Sequence, residues 1–138
     1  VQGALATRGE LSARYRVYEY LHEEMTDALL AADLVVARAG ASTLGEFPAV
    51  GAPAILSPYP YSGQHQYANA RLLERAGTAL VIEDRCLANE LIGAIERLLG
   101  DAQTRAKMSA AARALARPAA AQTLAQELQR LAAGGKQE

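Results

Sequence analysis

Tryptophan is absent from these 138 residues, phenylalanine occurs only as Phe47 and cysteine only as Cys86. A single cysteine cannot close an intramolecular disulfide, and with no CxxC pair or His-rich tract nothing reads as a metal site. The simpler setting is reducing and cytosolic, with Cys86 as inert packing. Charge of one sign is missing too: fourteen basic and fifteen acidic side chains leave a formal net charge of -1. Without a basic stripe to neutralise phosphates, nucleic acid is excluded as a main partner. The longest apolar stretch, Ala28–Ala32 and then Leu34–Ala37, is split by Asp33 and far too short to span a bilayer. Membrane contact is therefore expected only at the periphery. The N-terminus carries neither a Met nor the basic lead and apolar core of a signal peptide.

What the chain has instead is alanine and leucine in alternating patterns, in a length that fits one domain able to bury a core. Short β-type runs alternate with longer helical ones, the mark of repeated βα units: an α/β, Rossmann-like, mainly parallel sheet with helices on both faces. The expected strands are Arg16–Tyr20, Leu34–Ala37, Ala54–Ser57 and Ala79–Ile82. The expected helices are Glu23–Ala32, Gln64–Ala76 with Gly77 as a left-handed cap, and Leu87–Leu99 followed by Gly100. Another runs from an Asp101 cap to about Arg117, and a last one opens at Pro118 and carries Leu124, Leu128 and Leu131. The leucine stripes are expected in the core. Residues Val1–Arg14 lack clean periodicity and read as an irregular remnant, 15–133 as the folded domain, and 134–138 as a frayed tail.

Two segments carry chemistry. In L-V-V-A-R-A-G-A-S-T-L-G-E-F-P-A-V, residues 34–50, a buried strand runs into Gly40, whose missing Cβ allows a sharp turn and close approach of a ligand. Ser42 and Thr43 can cap the following helix, and its free N–H groups and dipole make a ready anion site at the carboxyl end of a strand. Glu46, about one turn on, is repelled by a phosphate; the vicinal diol of a ribose offers it two donors. Arg38, at the strand end, can pair with Glu46 or a helix carboxylate to organise the site. Pro48 fits a helix only near its start, so this helix is expected to kink or begin later. In P-Y-P-Y-S-G-Q-H-Q-Y-A-N-A-R-L-L, residues 58–73, a loop opens a helix whose first turns hold Gln64, His65, Gln66 and Asn69. Such neutral donors and acceptors suit sugar hydroxyls. The Tyr59–Tyr61 pair reads as loop packing.

Together R-A-G-A-S-T-L-G-E, G-A-P-A-I-L-S-P-Y-P and H-Q-Y-A-N-A, with Glu46 and His65 nineteen positions apart, closely resemble the bacterial MurG family. The earlier Y-R-V-Y-E-Y-L-H-E-E-M resembles that family's loop beside the base, and the likeness runs from about Tyr15 to Leu131. It implies the C-terminal, donor-binding half of a two-domain GT-B glycosyltransferase whose first βα portion is missing. The activity implied is inverting transfer of N-acetylglucosamine from UDP-GlcNAc to an undecaprenyl-linked muramyl-pentapeptide, in peptidoglycan synthesis and thereby cell shape and division. The resemblance puts Gly40, Ala41, Ser42 and Thr43 near the diphosphate and sugar, Glu46 on the ribose, and His65 and Gln66 on the N-acetylglucosamine. The family often has Gln-Gln at that last pair. Arg38 and Asn69 match recurrent binding positions, and Leu21, or its neighbour His22, approaches the uracil. No cofactor or bound metal is implied, and no catalytic residue falls in this chain.

The family's N-terminal domain, with its acceptor site, glycine-rich loop and histidine, has no counterpart here, nor has the Gly-Gly-Ser type loop that opens the C-terminal domain. Weak donor binding and no activity by this chain alone are expected. The complete protein would sit peripherally on the cytoplasmic face of the bacterial inner membrane. Three alternatives share the donor chemistry: transfer to another lipid acceptor, a donor-binding subunit that needs a membrane partner, or an inactive fragment. A UDP-GlcNAc epimerase of similar fold would carry acidic and glycine-rich signatures that are absent.

Overall fold

The computed structural model describes residues 14–134. Its elements are α1 (Glu24–Ala31), β1 (Val35–Ala37), α2 (Thr43–Val50), β2 (Ala54–Leu56), α3 (His65–Arg75), β3 (Ala79–Val81), a 3₁₀ turn (Asp84–Cys86), α4 (Leu87–Gly100), α5 (Ala102–Leu115) and α6 (Ala120–Gly134). The strands form one parallel sheet in the order β1-β2-β3, with Val36 opposite Ile55 and Ile55 opposite Leu80. Consecutive parallel neighbours joined by right-handed crossovers put both connecting helices, α2 and α3, on the same face.

The pleat then sorts the core. Ala54 and Leu56 point one way, into a cluster with Ala39, Phe47, Ala70 and Leu73 beneath α2 and α3. Ile55 points the other way, to Ile82 just after β3, Ala94 and Leu98 of α4 and Met108 of α5. All three residues of β2 are buried, as the central strand of a doubly covered sheet should be. Fully burying Ile55 stabilises the fold by roughly 1.5–3 kcal/mol. Cys86 packs at the edge of the second cluster, and burial, followed by the charge and hydrogen bond of Glu90, pushes its thiol up, away from the reactive thiolate.

Two helices end in the same way. Gly51 (φ 70°) donates its N–H to Pro48 O at 3.1 Å, and Ala52 donates to Phe47 O at 2.9 Å. Gly77 (φ 74°) donates to Glu74 O at 2.9 Å, and Thr78 to Leu73 O at 3.0 Å. Both are Schellman caps, in which a left-handed residue turns the chain directly into the next strand. Gly51 is closely covered as well: a Cβ there would lie 2.7 Å from the Arg113 Nε of α5.

Several expectations need correction. Arg16–Tyr20 forms no strand; Val17, Tyr18 and Tyr20 are exposed, and with no neighbouring strand among the described residues to pair its N–H and C=O groups, β-rich composition alone builds no ladder. The leucine stripes are only partly core: Leu73 and Leu98 are buried, but Leu72, Ile92, Leu99, Leu124, Leu128 and Leu131 face solvent. On α1 only Leu29 turns toward the core; Met25 and Ala28 are exposed. The helix after Ser42 does not start late: it opens at Thr43 and runs on through Pro48, which is buried inside it. The last helix begins at Ala120, two residues beyond Pro118. The irregular remnant, but for Arg14, and residues 135–138 of the tail lie outside the described residues. Among the described residues no helix is long and apolar enough to cross a membrane.

Candidate functional site

The carboxyl ends of β1, β2 and β3 open onto one edge of the sheet, and the loops there, with the first turns of α2 and α3, hold the residues singled out above other than Leu21. After β1 the chain turns at Gly40, whose carbonyl accepts both the Thr43 N–H at 3.2 Å and the Thr43 hydroxyl at 2.6 Å. Thr43 is buried, so its hydroxyl is occupied in fixing the turn. Ser42 stands at the N-cap without a side-chain cap bond; its carbonyl accepts from Gly45 N and Glu46 N. Neither hydroxyl caps the helix as expected, because the turn's own carbonyls satisfy the first helical N–H groups. The N–H groups of Ala41 and Ser42 have no protein acceptor among the described residues, and both residues are exposed.

Glu46 stands one turn into α2, on the same side. A cleft of about 640 Å³ is lined by Tyr20, Leu21, His22, Glu23, Met25, Ser42 and Glu46. The structure thus brings Leu21, from the segment before α1, to the same crevice as Ser42 and Glu46. A carboxylate and a helix start on one wall, with an exposed stretch of chain opposite, leave room for an elongated ligand with an anionic part and a hydroxylated part.

The second group surrounds the loop after β1. Asn69 Nδ2 donates to Ala39 O at 3.1 Å, so its Oδ1 remains an acceptor. Gln66 Oε1 accepts from Tyr59 N at 2.9 Å, which leaves its NH₂ as a donor. Arg38 Nη1 donates to Ser57 O at 3.3 Å and to the Ser57 hydroxyl at 3.4 Å, and makes an ion pair with Asp84. Its guanidinium also lies 5.4 Å from the centre of the Tyr59 ring, within cation–π range. Tyr59 meets Tyr61 edge-on at 5.6 Å, the expected loop packing. His65 is exposed beside Gly63 (φ 63°), and its ring makes no hydrogen bond among the described residues.

Arg38 therefore pairs with neither Glu46 nor a carboxylate of a flanking helix, but with Asp84 in the 3₁₀ turn after β3. Sequence reasoning passed over Asp84. The signal that could have found it is positional: an acid just beyond the end of a predicted parallel strand lies on the same edge as the residue following its neighbours.

With this geometry in hand, comparison with known proteins is decisive. Residues 4–124 match the glycosyltransferase family 28 C-terminal domain. The chain belongs to that family. Among its relatives, the UDP-N-acetylglucosamine–N-acetylmuramyl-(pentapeptide) pyrophosphoryl-undecaprenol N-acetylglucosamine transferase of Roseiflexus sp. (strain RS-1) is 46% identical over 83% of this chain and 30% of its own length. The enzyme of the same name from Salinibacter ruber is 46% identical over 86% of this chain and 32% of its own. The crystal structure of Acinetobacter baumannii MurG superposes with a TM-score of 0.75 at 31% identity, over 83% of this chain and 33% of that one. The family 28 chain thus spans about a third of the length of the curated relatives it matches. The α/β architecture with a parallel sheet is that of the MurG C-terminal GT-B domain.

Proposed function

We propose that this family 28 domain is the UDP-GlcNAc-binding part of an inverting transferase that moves N-acetylglucosamine to an undecaprenyl-linked muramyl-pentapeptide in peptidoglycan synthesis. The observation that carries the reading is that Ser42, Glu46 and Leu21 line one cleft. It is supported by the relatives' shared name. The Ala41 and Ser42 N–H groups and the start of α2 receive the diphosphate, with Gly40 leaving room and Thr43 holding the turn. Glu46 accepts hydrogen bonds from the ribose hydroxyls, and Leu21 or His22 borders the uracil. The Gln66 NH₂, the Asn69 Oδ1 and His65 face the N-acetylglucosamine, one side offering donors and the other an acceptor.

In the reaction the bond from the anomeric carbon to the diphosphate oxygen breaks, and UDP leaves with the electron pair. The acceptor's sugar hydroxyl attacks from the opposite face and loses its proton. This domain's contribution is to stabilise charge developing on the departing diphosphate through oriented backbone donors. Acceptor binding and proton removal fall to the part of the relatives that this chain does not span, and the whole enzyme works at the cytoplasmic face of the bacterial membrane.

Calorimetric titration of UDP tests the reading. The parent chain binds weakly, and Glu46→Ala loses about tenfold to a hundredfold in affinity, the worth of one charge-assisted contact of ~1.5–3 kcal/mol. Equal binding by the variant would remove Glu46 from the ribose.

A further inference from the structure

The Arg38 guanidinium ties together the loops after all three strands. Arg38 itself follows β1, Ser57 and Tyr59 follow β2, and Asp84 follows β3. The Arg38 and Asp84 side chains are 46% and 35% exposed, so as an isolated surface pair they add little to stability. By charge alone the Asp84 carboxylate is also badly placed, since it offsets the Arg38 cation that would otherwise attract a diphosphate. What the pair does is geometric. The loop from Arg38 to Ser42 is held at its start by Asp84 and Ser57, at Ala39 O by Asn69, and at its end by the Thr43 hydroxyl on Gly40 O. Of these anchors, only the Asp84 contact comes from the far edge of the sheet, two strands away.

We propose that Asp84 is a positioning residue of the donor site: by holding the Arg38 guanidinium it sets the Arg38–Ser42 loop, whose Ala41 and Ser42 N–H groups meet the diphosphate. The inference rests on the donor-site reading above. It opposes simple electrostatics in sign, because removing the Asp84 charge should tighten an anion if charge ruled and loosen it if position ruled.

The test titrates UDP and uridine into the full chain for the parent, Asp84→Asn, Asp84→Glu, Arg38→Met and the double variant Arg38→Met/Asp84→Asn, with melting curves to verify folding. Asp84→Asn weakens UDP about tenfold and leaves uridine within about twofold, since the nucleoside lacks the diphosphate that the loop receives. Asp84→Glu recovers most of the loss, and Asp84→Asn adds nothing once Arg38 is methionine. Unchanged or tighter UDP binding by Asp84→Asn, or an equal loss of uridine, overturns the role. A parent chain that binds no UDP removes the donor-site reading itself, and this inference with it.

Discussion

Gly40 and Gly51 show two different reasons for a glycine. Gly51 needs its backbone freedom, with φ at 70° and the Arg113 side chain lying where a Cβ would stand. Gly40 does not: its φ lies outside the left-handed region, and a Cβ there would meet nothing within 4 Å. The sharp turn is made by the Thr43 side chain and N–H on the Gly40 carbonyl, so what glycine preserves is open space beside the proposed diphosphate site. Gly40→Ala should therefore fold with a stability change within about 0.5 kcal/mol, as for an unstrained surface site. The same variant should bind UDP at least about tenfold more weakly, because a methyl group would enter the space of the diphosphate. Thermal unfolding and calorimetry on one preparation separate the two effects; a stable variant with parental UDP affinity would place the diphosphate elsewhere.

The start of α5 shows how an element can be set by one local contact. Asp101 accepts from Thr104 N at 2.9 Å and from the Thr104 hydroxyl at 2.7 Å, the N-cap read from the sequence. The Thr104 N–H first, and then its hydroxyl, hold the Asp101 carboxyl below the usual carboxylate range. A depressed folded-state pKa contributes stability that is present above the unfolded value and lost as pH falls through the folded one. Asp101→Ala should therefore melt lower than the parent at neutral pH, and the gap should narrow steadily as acid takes the solution below the ordinary carboxylate range. Circular dichroism melts over that range check it, and a gap independent of pH would show that the charge plays no part. The α2 helix shows the opposite case: Pro48 removes an N–H from the helix interior, yet it is buried among core residues and the helix runs on to its Schellman cap.

For the molecule as a whole, the sheet and helices α2 to α5 form three packed layers, whereas every described side chain of α6 is exposed. Leu124, Leu128 and Leu131 recur at helical spacing on α6 at about 60% exposure, so this helix adds little to the core. Leu128→Gln should accordingly leave chemical-denaturation stability within about 0.5 kcal/mol of the parent. A larger loss would mean that α6 packs on the domain in solution. Since the chain spans about a third of its relatives, the acceptor chemistry named for them belongs to a larger assembly than the layers described.

Periodicity located α1, α3 and α4, the Asp101 cap located α5, and short apolar runs located β1, β2 and β3, because a parallel, doubly covered sheet leaves apolar strands and helices that can be read locally. Gly77 and Asp101 were legible for the same reason: a cap acts within a few residues of its own position. The family likeness along Arg38–Glu46 pointed to Ser42 and Glu46, and the fold sets these two on one cleft with Leu21. Three things only the tertiary structure could decide. Arg16–Tyr20 has the composition of a strand but, among the described residues, no neighbour to pair with, and pairing is a property of two segments. Leu72 and Leu73 are adjacent in a helical pattern, yet only Leu73 meets the sheet. The partner of Arg38 is forty-six residues away, since parallel crossovers carry the ends of distant strands to one edge, where charge and geometry rather than local pattern choose who meets whom.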